Sequence, residues 1–196
     1  MSQAVALQHD SNLADICNQF RENSLRVTKL TNELHHHQLN LRVDSDRWSI
    51  AECIVHLNLF SETFVPLIQD ACERARLNGL MRGGPYKMDV VGKLLRYALE
   101  PPSKWNASTT SEFEPTVVEP LERVIPRFIE LQSELLTLVQ SSADLDLNRI
   151  KITSPITTHV RYNLYSCFLI IAAHQRRHLW QADRSRNFLS SNGKRR

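Results

Sequence analysis

The chain has 196 residues, the size of one domain with room for a substantial core. Apolar residues make up 42% and charged residues 23%, which excludes a disordered chain, and only 5 Gly and 8 Pro argue against a many-stranded sandwich or barrel. The formal charge of +3 is small and sits largely in the tail Gly193–Arg196, too little to indicate nucleic-acid binding.

Taken in chain order, Met1–Asp10 has neither a basic start nor an apolar stretch of the kind a secretory signal needs. Between Asn12 and Leu39, the residues Leu13, Ile16, Phe20, Val27, Leu30 and Leu34 recur at threes and fours, the spacing of one helical face. His35–His36–His37 then reads as a solvated cluster at the end of that helix, near its negative pole. Arg42–Arg47 is a polar loop. Ser49 followed by Glu52 is a capping box, in which each side chain satisfies the other residue's backbone N–H. It starts a second helix with Ile50, Cys53, Leu57, Phe60, Phe64 and Leu67 inward, running towards Leu77.

From Asn78 to Glu119 the chain is broken by Gly79, Gly83–Gly84–Pro85, Pro101–Pro102 and Pro115. A structureless connection of this length is rare. The stretch reads instead as a crossover with its own short helix over Met88–Leu99, with Val91, Leu94, Leu95 and Ala98 inward. A third long helix is expected from Pro120 to Ser141, with Leu121, Val124, Phe128, Leu131, Leu135 and Leu138 on its apolar side. Pro120 suits a first turn, whereas Pro126 predicts a kink or a later start. After a loop over Ser142–Thr158, a fourth helix is expected from Val160 to Asn187. The fold class is therefore all-α: a four-helix bundle with a long crossover between helices two and three. The single domain spans 11–190, with flexible ends at 1–10 and 191–196.

On the fourth helix the inward stripe is Val160, Leu164, Cys167, Ile171, His174, His178 and Gln181. Two imidazoles thus continue an apolar face, and residues four apart on a helix are neighbours able to share one ion. An HxxxH pair alone is equally well a surface pair, or two core histidines bonded to carbonyls. His56, amid Cys53, Phe60 and Leu67, adds a third imidazole close to the inward stripe of helix two. Three histidines leave one coordination position for water or substrate, as catalytic zinc sites do. Gln175 stands where an HExxH peptidase carries its general base, so peptidase chemistry is excluded.

The stretch Trp48–Leu57 and the segment His174–Gln181 together resemble the two motifs of the DinB-like superfamily, in the same order and flanking a similar crossover. The resemblance implies a bundle, commonly a homodimer, whose three-His site maps onto His56, His174 and His178. It also implies one divalent transition metal, typically zinc or nickel. Relatives include S-transferases and isomerases that use bacillithiol, mycothiol or glutathione, so a small-molecule substrate and a low-molecular-weight thiol cofactor are expected. The function read from this is a metal-dependent thiol S-transferase or hydrolase; the alternative is a non-catalytic stress-response bundle that holds a metal or ligand. No catalytic residue beyond the ligands is named.

Around the site, Glu52 reads as a cap, with orientation of His56 as the alternative, Cys53 as an inert buried thiol, and Trp48 as a packing anchor. Arg176 and Arg177 should face solvent or a carboxylate, His159 a loop, and Gln181 the edge of the site. Four scattered cysteines suit a reducing cytoplasm, and the most apolar run, Cys167–Ala173, is too short to span a bilayer.

Overall fold

A computed structural model of the chain describes residues 2–32, 34–102, 111–115 and 120–193, with side chains described for residues 12–190 among them. The ends expected to be flexible, 1–10 and 191–196, fall where side chains are not described. Six helices are present among the described residues: α1 (Ser2–Asn32), α2 (His36–Leu39), α3 (Ile50–Leu77), α4 (Val90–Leu99), α5 (Leu121–Ser141) and α6 (Leu164–Gly193). A 3-10 turn spans Ser111–Phe113, and strands β1 (Lys151–Thr153) and β2 (Arg161–Asn163) pair antiparallel. The fold is mostly helical, as the apolar spacing predicts.

Polar contacts between helices set the topology. Asn58 donates to the Val124 carbonyl, Arg127 pairs with Glu62, and Arg76 reaches the Ser141 carbonyl, so α3 and α5 run parallel. Arg176 reaches Gln19, Asn23 reaches Gln175, and Arg26 pairs with Asp183, so α1 and α6 are parallel too. Ser185 bonds the Trp48 carbonyl while His56 faces His174, which makes α3 and α6 antiparallel. Because α5 must start level with the start of α3, the chain has to retrace a helix of 28 residues, about 42 Å at 1.5 Å per residue. That return is the physical reason for the crossover.

α3 starts as expected: Ser49 accepts from the Glu52 N–H at 3.1 Å, and the Glu52 carboxylate accepts from the Ser49 N–H at 2.7 Å. α3 is long and apolar enough to cross a membrane, but most of it is buried in the fold. Pro66 and Pro126 both lie inside continuous helices. The later start expected at Pro126 does not occur; the proline is exposed, so the carbonyl freed one turn earlier, at Glu122, lies on the solvent side.

Three further expectations are corrected. The first helix ends at Asn32, not Leu39, and the three adjacent histidines open α2, where Gln38 accepts from the His35 N–H at 2.9 Å. This break buries Leu39 and leaves the imidazoles in solvent. The fourth helix begins at Leu164, because Arg161–Asn163 pairs with Lys151–Thr153 inside what reads as loop; Asn163 then caps α6 by accepting from the Ser166 N–H at 2.8 Å.

The short crossover helix, lastly, turns a partly different face inward: Leu95 packs against the core as expected, but Val91 and Leu94 do not. Val91 and Leu94 are 39% and 59% exposed, and the buried contact is Gly92, flanked by Leu95 and Leu99. A Cβ on Gly92 would sit 2.2 Å from Ser166 Oγ, so only glycine allows this approach to α6. Asp89 fixes the rotation: it caps α4 at Gly92 and accepts from the Asn163 N–H and Lys151.

The core falls into two apolar clusters. One holds Phe20, Phe64, Leu135 and Phe168; the other Val27, Ile54, Phe128 and Leu179. On α1, α3 and α6 the residues between them are polar and buried: Asn23, His56, Asn58, His174, Gln175, Arg177 and His178.

Candidate metal centre

His56 comes from α3, one turn after its first turn, where the capping box has set the helix phase. His174 and His178 come from successive turns of α6. The three side chains expected from the sequence meet in this polar layer, each no more than 7% exposed. One ring nitrogen from each lies within 4.8 Å of the others, a group that could hold a metal ion.

His56 Nε2 and His174 Nε2 are 3.2 Å apart. Two nitrogens bound tetrahedrally to one zinc ion are about 3.3–3.4 Å apart at ordinary Zn–N lengths, so this spacing fits an ion with little adjustment. The Nδ1 atoms of His174 and His178 are buried with no hydrogen-bond partner. Burying three imidazoles together is costly, and a metal ion shared by the three rings is one way to offset that cost.

Burial lowers the pKa of all three histidines. For His56 the Phe113 carbonyl partly opposes this. For His174 and His178 the effect is larger, and burial is reinforced by the neighbouring imidazoles and by Arg177; the Gln181 side chain offsets part of it at His178. The rings are therefore held neutral, the form that ligates metal.

Aromatic rings wall the group. Phe60 stacks on His174 with centroids 3.9 Å apart, and Trp48 lies 4.9 Å from His56 and 5.7 Å from His178. Phe113, from the 3-10 turn of the crossover, places its ring edge-on to His56 at 6.5 Å and its carbonyl oxygen 2.7 Å from His56 Nδ1. Trp48 packs against the second apolar cluster, as expected of an anchor, and its ring also lines the histidine group. Phe113 is invisible in the sequence, because no periodicity places a lone aromatic in an irregular crossover against a helix 57 residues away.

The remaining candidates lie elsewhere or do other work. Glu52 is committed to its cap and to a forked ion pair with Arg42, not to His56. Cys53 is buried, and desolvation pushes its thiol up to about 12, which makes it inert as expected. Arg176 faces the Glu100 carboxylate and Gln19, while Arg177 is buried and donates to the Ala98 carbonyl near the end of α4. Gln175 is buried and accepts from Asn23 at 2.9 Å, tying α6 to α1. His36 lies 3.1 Å from Glu122 on the surface, and His159 is in an exposed loop.

Residues 19–182 match the DinB superfamily. The chain belongs to the DinB superfamily. No curated protein and no solved structure matches it. The family match takes in all of α3, the crossover, α6 as far as residue 182 and all three candidate ligands.

Proposed function

We propose that His56, His174 and His178 bind one divalent transition metal, zinc or nickel, at the middle of a DinB-type four-helix bundle, and that the protein is a metal-dependent enzyme acting on a small molecule. The observation that carries this reading is the meeting of three buried imidazoles that each bring a ring nitrogen within 4.8 Å of the others. Three protein ligands leave a fourth position open for a reacting group. Bound there, a metal ion would hold a thiol as thiolate or activate water at neutral pH. The chain's own contribution is to keep the three rings deprotonated through burial and to shield them with Trp48, Phe60 and Phe113. Glu52 and Cys53 have no part in proton transfer, the first being paired and the second buried.

Within this reading the reaction is a thiol-dependent S-transfer or a hydrolysis, with bacillithiol, mycothiol or glutathione as the thiol, in a cytoplasmic homodimer. The test is metal analysis of protein purified without chelators, followed by turnover of electrophiles and esters with each thiol. One equivalent of metal and thiol-dependent turnover are expected. Metal-loaded protein inactive across the whole panel rejects the enzymatic reading.

One observation favours a second reading. All three rings are almost fully buried, as in closed structural sites. A non-catalytic bundle held together by its metal would lose stability on chelation and show no turnover with any thiol.

A further inference from the structure

We propose that the backbone carbonyl of Phe113 is the positioning group of this centre: it holds His56 in one tautomer, aims His56 Nε2 as the ligating atom, and gives the metal-free site a directed hydrogen-bond chain from His174 through His56 to Phe113. The inference rests on the metal-binding reading above and goes beyond it by assigning a role outside the three ligands.

A carbonyl oxygen can only accept, so at 2.7 Å the His56 ring must donate from Nδ1. A neutral imidazole has one proton, which leaves Nε2 with a lone pair. His174 Nε2 is 3.2 Å from that atom. Two lone pairs facing each other at this distance would repel, so His174 supplies the N–H. With its proton on Nε2, His174 has a bare Nδ1, and that atom is buried with no partner. A buried acceptor left over is more tolerable than a buried N–H left over, so the direction of the chain agrees with the one orphan it creates.

A metal ion needs the same His56 lone pair that His174 occupies, so metal entry displaces the His174 N–H. A His174 that ligates through Nε2 then carries its single proton on the buried Nδ1, and no net proton is released. That is the costlier orphan, which the metal-free arrangement avoids and the metal–nitrogen bonds must offset. The carbonyl is held in place from both sides. The Ser111–Phe113 turn is closed by the Glu114 N–H on the Ser111 carbonyl at 3.3 Å, and the Phe113 ring is buried 5.7 Å from Phe60. Such partners of ligating histidines set both ring orientation and ligand basicity.

The experiment is long-range ¹H–¹⁵N NMR of the histidine rings, metal-free and titrated with zinc, together with zinc affinity by chelator competition. Two variants accompany the wild type. Glu114→Pro removes the donor that closes the turn and drives Phe113 towards extended backbone, turning its carbonyl away. Phe113→Ala removes the ring and keeps the carbonyl. The expected result is His56 protonated on Nδ1 throughout, and His174 protonated on Nε2 before zinc and on Nδ1 after it. Glu114→Pro should mix the His56 tautomers and weaken zinc binding about 10–100-fold, with Phe113→Ala keeping the wild-type tautomer.

A wild-type His56 protonated on Nε2, or a metal-free His174 protonated on Nδ1, overturns the inference. So does folded Glu114→Pro with unchanged tautomer and zinc affinity. If that variant does not fold, the wild-type spectra still decide. Wild-type protein with the expected metal-free tautomers that takes up neither zinc nor nickel refutes the metal reading instead and leaves only the hydrogen-bond chain.

Discussion

His174 illustrates how one side chain can serve a fold badly and a site well. It is buried, has one ring nitrogen unpartnered, and is surrounded by two more imidazoles and the Arg177 cation, all of which disfavour its charged form. Replacing it with Ala should abolish tight binding of zinc or nickel, measured by chelator competition, whereas His159→Ala in its exposed loop should leave affinity within about twofold of wild type. The same burial predicts a pH dependence for the metal-free protein. Each of the three histidines has a folded-state pKa below its ordinary value near 6.5, so the unfolded chain binds more protons as pH falls below that point. Stability should therefore be full above about pH 6.5 and be lost as pH falls from there towards the lowered folded values. Thermal melts of metal-free protein from pH 7.5 to 5 should show this fall, and a variant with all three histidines changed to Gln should show a flatter profile.

At the scale of elements, the crossover helix α4 is the part whose placement depends most on neighbours. Its apolar residues favour one side of the helix, centred on Val91, Leu94 and Ala98, but the face that packs is turned away from that centre, onto Gly92, Leu95 and Leu99. Asp89 and Gly92 choose it, the first by capping α4 against β2 and the second by allowing α6 to approach. Gly92→Ala puts a methyl group into Ser166 and should cost about 1–3 kcal/mol in urea unfolding, more than the small gain in helix propensity returns. Adding Ser166→Gly should recover part of that loss. An unchanged midpoint for Gly92→Ala would mean that α4 is not pressed against α6 at this point.

For the whole molecule, the buried polar layer divides the core into two apolar clusters, and the three histidines are its centre. A ligand that binds only the folded chain adds stability in proportion to the logarithm of its excess over Kd, about 4 kcal/mol at a thousandfold excess. Chelation should accordingly lower Tm by several degrees. The same treatment of a His56→Ala, His174→Ala double variant should leave Tm unchanged. Equal chelator sensitivity in both proteins would place any stabilising metal elsewhere.

What the sequence alone determined is whatever repeats locally. The apolar stripes of the long helices, the Ser49–Glu52 cap, and the phase that puts His174 and His178 on one inward face are consequences of a 3.6-residue period and of hydrogen bonds spanning three residues. The β1–β2 pair and the inward face of α4 were decided by tertiary contacts, since each depends on partners outside its own segment. The site divides the same way. Of its candidate ligands, His174 and His178 were legible as imidazoles that continue an apolar stripe, and His56 chiefly through the resemblance of its motif. Trp48 and Phe60 gave no sign of more than packing, and Phe113 none at all, because an aromatic wall and a carbonyl acceptor for His56 are made only when the crossover folds back over α3.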